Sequence, residues 1–123
     1  QEQVHSYLTM QLAKEKTANI AIANLIEDSA NQFDEGTYFR GVPMIALTLE
    51  NDSSSEAIRL ACKEAFEDWE RLIAEQLMDG GLHEAEALRR ASVIHSMMQG
   101  AAAVSFAKQS SEPLRLVATH ISI

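Results

Sequence analysis

A single cysteine, Cys62, is the only thiol in the chain, so no internal disulfide can form. That removes the framework on which small secreted domains depend and points to a reducing compartment, the cytoplasm. Basic residues are in deficit, ten Lys plus Arg against eighteen Asp plus Glu, for a net charge of −8. Such a balance repels the phosphate backbone that dominates nucleic-acid affinity, so DNA is not expected to be a partner of this chain itself. No glycine-rich phosphate loop, nucleophile elbow or dinucleotide fingerprint occurs, which leaves catalysis without positive support and calls for no cofactor. At 123 residues there is room for one domain, and a multi-domain enzyme is excluded. A charged n-region followed by an apolar h-region is missing and the first residue is Gln1, so the chain is expected to be a fragment cut at both ends.

Proline and glycine are scarce too: two and five, clustered at a few points. Long stretches of Ala, Leu, Glu, Met and Gln are left uninterrupted, and these are helix formers. The chain is therefore expected to be all-α, an antiparallel bundle of about five to six helices. Apolar positions Val4, Tyr7, Leu8 and Leu12 form a stripe without a cap before it, the end of a longer helix. Thr17 can cap a second helix, on which Ala18, Ile22, Leu25, Ile26, Ser29, Ala30 and Phe33 share one face and which Gly36 ends. Gly41 and Pro43 predict a loop and a short, internally pinned helix over residues 43–50. Ser53 and Glu56 have capping-box spacing. The helix they launch has a predicted inner face of Ile58, Ala61, Cys62, Ala65, Phe66, Trp69, Leu72, Ile73 and Leu77. Glu64, Glu67, Asp68, Glu70 and Glu75 fall on its predicted wet face. Gly80-Gly81 close it, with Leu82 placed for an apolar contact.

The segment from about 84 to 109 is the most unusual, because no charge lies between Arg90 and Lys108. That uncharged length is roughly 25 Å in a helix, short of a bilayer core, and it carries Ser92, His95, Ser96, Gln99 and Ser105. Membrane insertion is not expected. One side, near Leu88, Ala91, Ile94, Met98, Ala102 and Ser105, suits the domain's own core; the other, near Val93, Met97, Gly100, Ala101, Val104 and Lys108, needs a second cover. A twin subunit is the natural candidate. Ser111-Glu112-Pro113 caps a terminal helix whose Leu114, Val117 and Ile121 could complete an intersubunit bundle.

The four histidines lie far apart, and Glu2 with His5 supplies a single Glu-x-x-His where di-iron bundles need two. No metal site is expected. Cys62 lies on an apolar stripe and reads as a packed thiol. A mixture of adaptable and aromatic groups, Met44, Phe66, Trp69, Met97, Met98 and Phe106, with His95 and Gln99 as polar handles, suits a pocket for a mostly apolar molecule. Leu25 and Ile94 join the candidate wall. The competing reading is plain core packing, with His95 bonded to a carbonyl one turn away.

The ordered landmarks resemble the C-terminal regulatory domain of TetR-type transcriptional repressors, in the branch typified by LmrA and YxaF. They are Gly41-Val42-Pro43 with Ala46-Leu47-Thr48-Leu49-Glu50, then Arg59, Cys62, Phe66 and Trp69, then Gly81-Leu82, Gly100-Ala101 and Ser111-Glu112-Pro113-Leu114. Val42 departs from the cysteine this branch often has there. The resemblance implies that 1–13 ends a connecting helix, that 17–109 forms an effector-binding core, and that the helices of 84–123 form a homodimer. Val93, Met97, Gly100, Ala101, Val104, Lys108, Leu114 and Val117 are the interface so implied. It further implies a small hydrophobic effector whose binding controls DNA contact by a helix-turn-helix domain preceding Gln1. A structural dimerisation domain without an effector is the alternative.

Overall fold

The computed structural model describes residues 2–36 and 55–121. Among these the chain is all-helical: α1 (Glu2–Asp34), α2 (Ser55–Asp79), α3 (Glu84–Lys108) and α4 (Glu112–His120). The short helix expected over 43–50, and Met44 with it, lie outside the described residues, as does Ser53 of the expected capping box.

α1 runs unbroken through Thr17, so the expected boundary there does not exist. A capping residue starts a helix only where the chain before it is not helical, and no glycine or proline interrupts residues 2–35. Its expected inner face holds. Ala18, Ile22, Ile26, Ser29 and Ala30 are buried, with Leu25 and Phe33 packed beside them. Gly36, at φ 79°, ends the helix.

α2 and α3 form an antiparallel hairpin about a tight turn. The Gly81 amide donates to the Met78 carbonyl at 2.9 Å and the Leu82 amide to the Leu77 carbonyl at 3.1 Å. Gly81 stands at φ 107°, a conformation that costs a residue without Cβ nothing. Leu82 then packs on the core, as the spacing predicts. The same pattern closes α3 with a non-glycine residue: Gln109 adopts φ 55°, and the Ser110 amide reaches the Ser105 carbonyl at 3.0 Å.

One core cluster joins all four helices through Ile22 and Ile26 of α1, Ile73, Ala74 and Leu77 of α2, Ala87, Ala91, Ile94 and Met98 of α3, and Ala118 of α4. A second joins Ala30, Ala101, Ala102 and Leu114. The sequence-based faces need correction on α2, α3 and α4. On α2, Ile58, Ala61, Trp69 and Leu72 are exposed, Trp69 by 39% and Leu72 by 57%. Each residue turns a helix by about 100°, and the inward line follows Cys62, Phe66, Glu70, Ile73 and Leu77, which leaves 69 and 72 on the flank. On α3, Leu88 is exposed while Ala101 is buried. On α4, Leu114 is fully buried in its own protomer and not presented outward. Ser111 sits at the N-cap position of α4 without a side-chain capping bond; the Ser110 hydroxyl instead accepts from the Glu112 amide at 3.2 Å.

α4 is tied to α1 by Arg115. Its guanidinium donates to Glu27 Oε2 at 2.6 Å, Asn31 Oδ1 at 3.0 Å and Asp34 Oδ2 at 2.7 Å. Ser111 Oγ donates to the same Asp34 oxygen at 3.0 Å. These bonds hold the Asp34 carboxyl below its ordinary range, the Arg115 hydrogen bond first and that of Ser111 next.

Candidate functional site

The antiparallel pairing of α2 and α3 sets Phe66 and Glu70, one turn apart, against His95 and Gln99, one turn apart. His95 Nδ1 lies 2.8 Å from Glu70 Oε2, and Gln99 Nε2 lies 3.0 Å from His95 Nε2. A carboxylate only accepts, which assigns the proton to Nδ1; Nε2 of the neutral ring then accepts from the Gln99 amide nitrogen. The ring of Phe66 meets the imidazole edge-on, with centroids 4.9 Å apart and planes at 62°.

His95 is buried, with 4% of its surface accessible, and Glu70 is half-buried. Gln99 Oε1 is shielded from water and has no hydrogen-bond partner. Around this chain of contacts lies an open cleft of about 350 Å³, lined by Phe66, Glu70, His95, Ser96, Gln99, Gly100 and Ala103. Among the described residues, no lysine or arginine lines it. The cleft can hold a flat apolar body against Phe66 and Ala103 and meet its polar groups with acceptors.

Of the residues expected to contact an effector, the cleft brings together Phe66, His95 and Gln99. Ile94 and Met98 belong to the closed core, with Leu25 packed against it. Trp69 is exposed and does not line the cleft. His95 is not bonded to a carbonyl one turn away but to two side chains, one of them on another helix. In the sequence its charge alone places Glu70 on the solvated face. Spacings from Phe66 and Ile73 fit positions 69 and 70 equally; the i+7 spacing of Leu77 from Glu70 is the signal that places 70 on the inward line.

A second groove, about 370 Å³ and almost wholly apolar, runs between α3 and α4 along Met97, Leu116, Val117, His120 and Ile121. Val93 and Val104 extend the outward apolar surface of α3, exposed by 59% and 45%. Of the residues implied for an interface, Val93, Met97, Gly100, Val104 and Lys108 face outward, Val117 is half-buried, and Ala101 and Leu114 are taken up inside the protomer.

Among the described residues no three His, Cys, Asp or Glu side chains converge to hold a metal ion, and no helix is long and apolar enough to cross a membrane.

Residues 18–120 match the family model for the C-terminal domain of LmrA/YxaF-like transcriptional regulators. An HTH-type transcriptional regulator of Bacillus subtilis (strain 168), YxaF, is 34% identical over 103 residues, covering 84% of this chain and 54% of its own. The HTH-type transcriptional regulator LmrA of the same organism is 29% identical over 93 residues, covering 76% of this chain and 50% of its own. The chain spans about half the length of these curated relatives. With the match covering most of its length, the chain belongs to the family of LmrA/YxaF-like, TetR-type transcriptional regulators, in the part that forms their C-terminal domain.

Proposed function

We propose that this domain senses a small, mostly apolar effector in the cleft between α2 and α3 and transmits its presence through a homodimer to a DNA-reading domain. The observation that carries the reading is the Glu70–His95–Gln99 chain beside Phe66: a buried polar relay ending in an unpartnered acceptor at the edge of an apolar cleft. An orphaned buried acceptor costs about 1–3 kcal/mol, which a ligand donor at the cleft would recover, although Ser105 Oγ in the closed core also lacks a partner. The dimer half rests on the apolar outward surface of α3 and α4, where Met97 and Leu116 border a groove. The DNA half rests on the relatives, which are named as HTH-type regulators and are about twice as long as the matched region. A regulator of this kind works where the DNA is, in the cytoplasm.

Effector binding biases a two-state arrangement of subunits only by the difference in its affinity for the two states. α3 supplies both His95 of the cleft and Met97 of the outward groove, so a shift of α3 on binding alters both surfaces. The rival reading is a structural dimerisation domain without effector, favoured by the closure of Ile94 and Met98 into the core.

Thermal melts against a panel of small aromatic compounds separate the two. Binding raises the midpoint in a concentration-dependent way, and Ala103→Trp, which fills the cleft, removes the response. No stabilisation by any compound leaves the structural reading in place, and a response that survives Ala103→Trp places binding outside the cleft.

A further inference from the structure

We infer that Glu70, His95 and Gln99 form a proton-operated switch across α2 and α3: when His95 takes a second ring proton, the Gln99 amide turns over and the hydrogen bond between the helices becomes an ion pair. In the neutral ring Nδ1–H donates to Glu70 Oε2 at 2.8 Å, so the lone pair open to a proton is on Nε2, 3.0 Å from Gln99 Nε2. A proton placed there faces an N–H, donor against donor. Half a turn of the amide exchanges its nitrogen and oxygen with little change of shape, and Oε1 then accepts from the ring Nε2–H. The Gln99–His95 bond is kept with its direction reversed, and Oε1, unpartnered in the neutral arrangement, gains a partner. The amide nitrogen moves to the place the oxygen leaves. Each state thus leaves one end of the amide unpaired, and the proton concentration chooses between them. Glu70 meanwhile faces an imidazolium across the existing contact, and a bond charged at both ends is the stronger kind. Acid therefore fastens α2 to α3, the two helices that hold the cleft.

His95 is 4% exposed, yet it lines the open cleft, which gives solvent protons a route to the ring. Among the described residues, Glu70 is the charged group that faces it from α2. α3 itself carries no charge between Arg90 and Lys108. α1 enters the shared core through Ile22 and Ile26, and α4 turns Arg115 to Glu27 and Asp34 of α1 and His120 to the outer groove. Histidine is the side chain whose charge changes in mild acid, which makes acidification the signal. The switch stands whether or not the cleft takes an effector.

The test is NMR on the whole chain, labelled with nitrogen-15 and titrated from about pH 8 to about pH 5. The His95 ring nitrogens are expected to pass from the Nδ1–H tautomer to the imidazolium, with the Gln99 side-chain amide signal moving in step. Exposed His83 and His120 serve as internal references. Gln99→Met, which offers the ring Nε2–H no acceptor, is expected to require about tenfold more acid to charge His95. Glu70→Gln, which removes the ion pair, shifts it in the same direction, while the two reference histidines stay where they were. A His95 ring that keeps a single proton throughout the folded range, or that charges while the Gln99 signal stays still, overturns the switch on the unaltered chain alone. So does a titration that neither substitution moves.

Discussion

Arg115 carries more structural responsibility than its position on a short, half-exposed helix suggests. It draws Glu27, Asn31 and Asp34 of α1 against α4, and the charge it places beside Asp34 favours the ionised carboxylate. Asp34 is thus held below the ordinary carboxylate range in the folded chain, by the Arg115 hydrogen bond first. Its contribution to stability is therefore present above the ordinary, unfolded pKa and is lost as pH falls through the lower, folded one. Arg115→Met should lower the melting midpoint by a few degrees near neutrality, and the gap from the parent chain should narrow as the pH drops below the carboxylate range. Melts at a series of pH values check this; a gap that stays constant into acid would show that the clamp contributes through packing alone. Leu114, one residue away, makes the opposite case. It is fully buried, and Leu114→Ala should cost about 2–5 kcal/mol. Leu116, exposed on the same helix, should cost under about 1 kcal/mol in the isolated protomer. Chemical denaturation of the two variants distinguishes a core leucine from a surface one.

At the level of elements, the sequence was legible where punctuation and periodicity agreed. The Gly81-Leu82 stop, the inner face of α1 from Ala18 to Phe33, and the line Ala91, Ile94, Met98, Ala102 on α3 all lie where spacing puts them. It was misleading where hydrophobicity was used in place of geometry. Polarity alone draws Trp69 inward and Glu70 outward, while spacing from Phe66 and Ile73 fits both positions equally and only the i+7 spacing to Leu77 favours 70. The burial of Glu70 depends on a partner 25 residues away, His95, which no local pattern contains. Thr17 resembles a helix start because capping chemistry is visible in sequence while the continuity of a preceding helix is not. The end of α3 was similarly opaque, since Gln109 takes a left-handed conformation that sequence would assign to glycine or asparagine. Its amide nitrogen also donates to the Phe106 carbonyl at 2.8 Å. Relief of backbone strain outweighs that exposed bond, so Gln109→Gly should stabilise the chain by about 0.5–1 kcal/mol. Thermal or urea unfolding measures it, and a destabilised variant would mean that the side-chain bond is the larger effect.

For the whole molecule, the two surfaces of α3 make separable demands. Inward, Ala87, Ala91, Ala102 and Ser105 let the helices approach closely around the larger Ile and Leu side chains. Outward, Val93, Met97 and Val104 stand exposed with no charged residue between Arg90 and Lys108 to solvate that stretch. A helix whose two sides are both apolar gains by being covered twice, and burial of apolar area is worth roughly 25 cal/mol per Å² before the cost of association. Gly100, within this stretch, has open space where a Cβ would stand. Within one protomer Gly100→Ala should therefore stabilise by up to about 1 kcal/mol through helix propensity. Met97→Glu combined with Val104→Glu tests the second cover directly. Light scattering across a dilution series should find a dimer for the parent chain and a monomer of undiminished helicity for the double variant, because each new carboxylate would be buried against its twin without a counter-ion. Dimers that persist unchanged would place the subunit contact on another face, and with it the link from cleft to partner through α3 would fail.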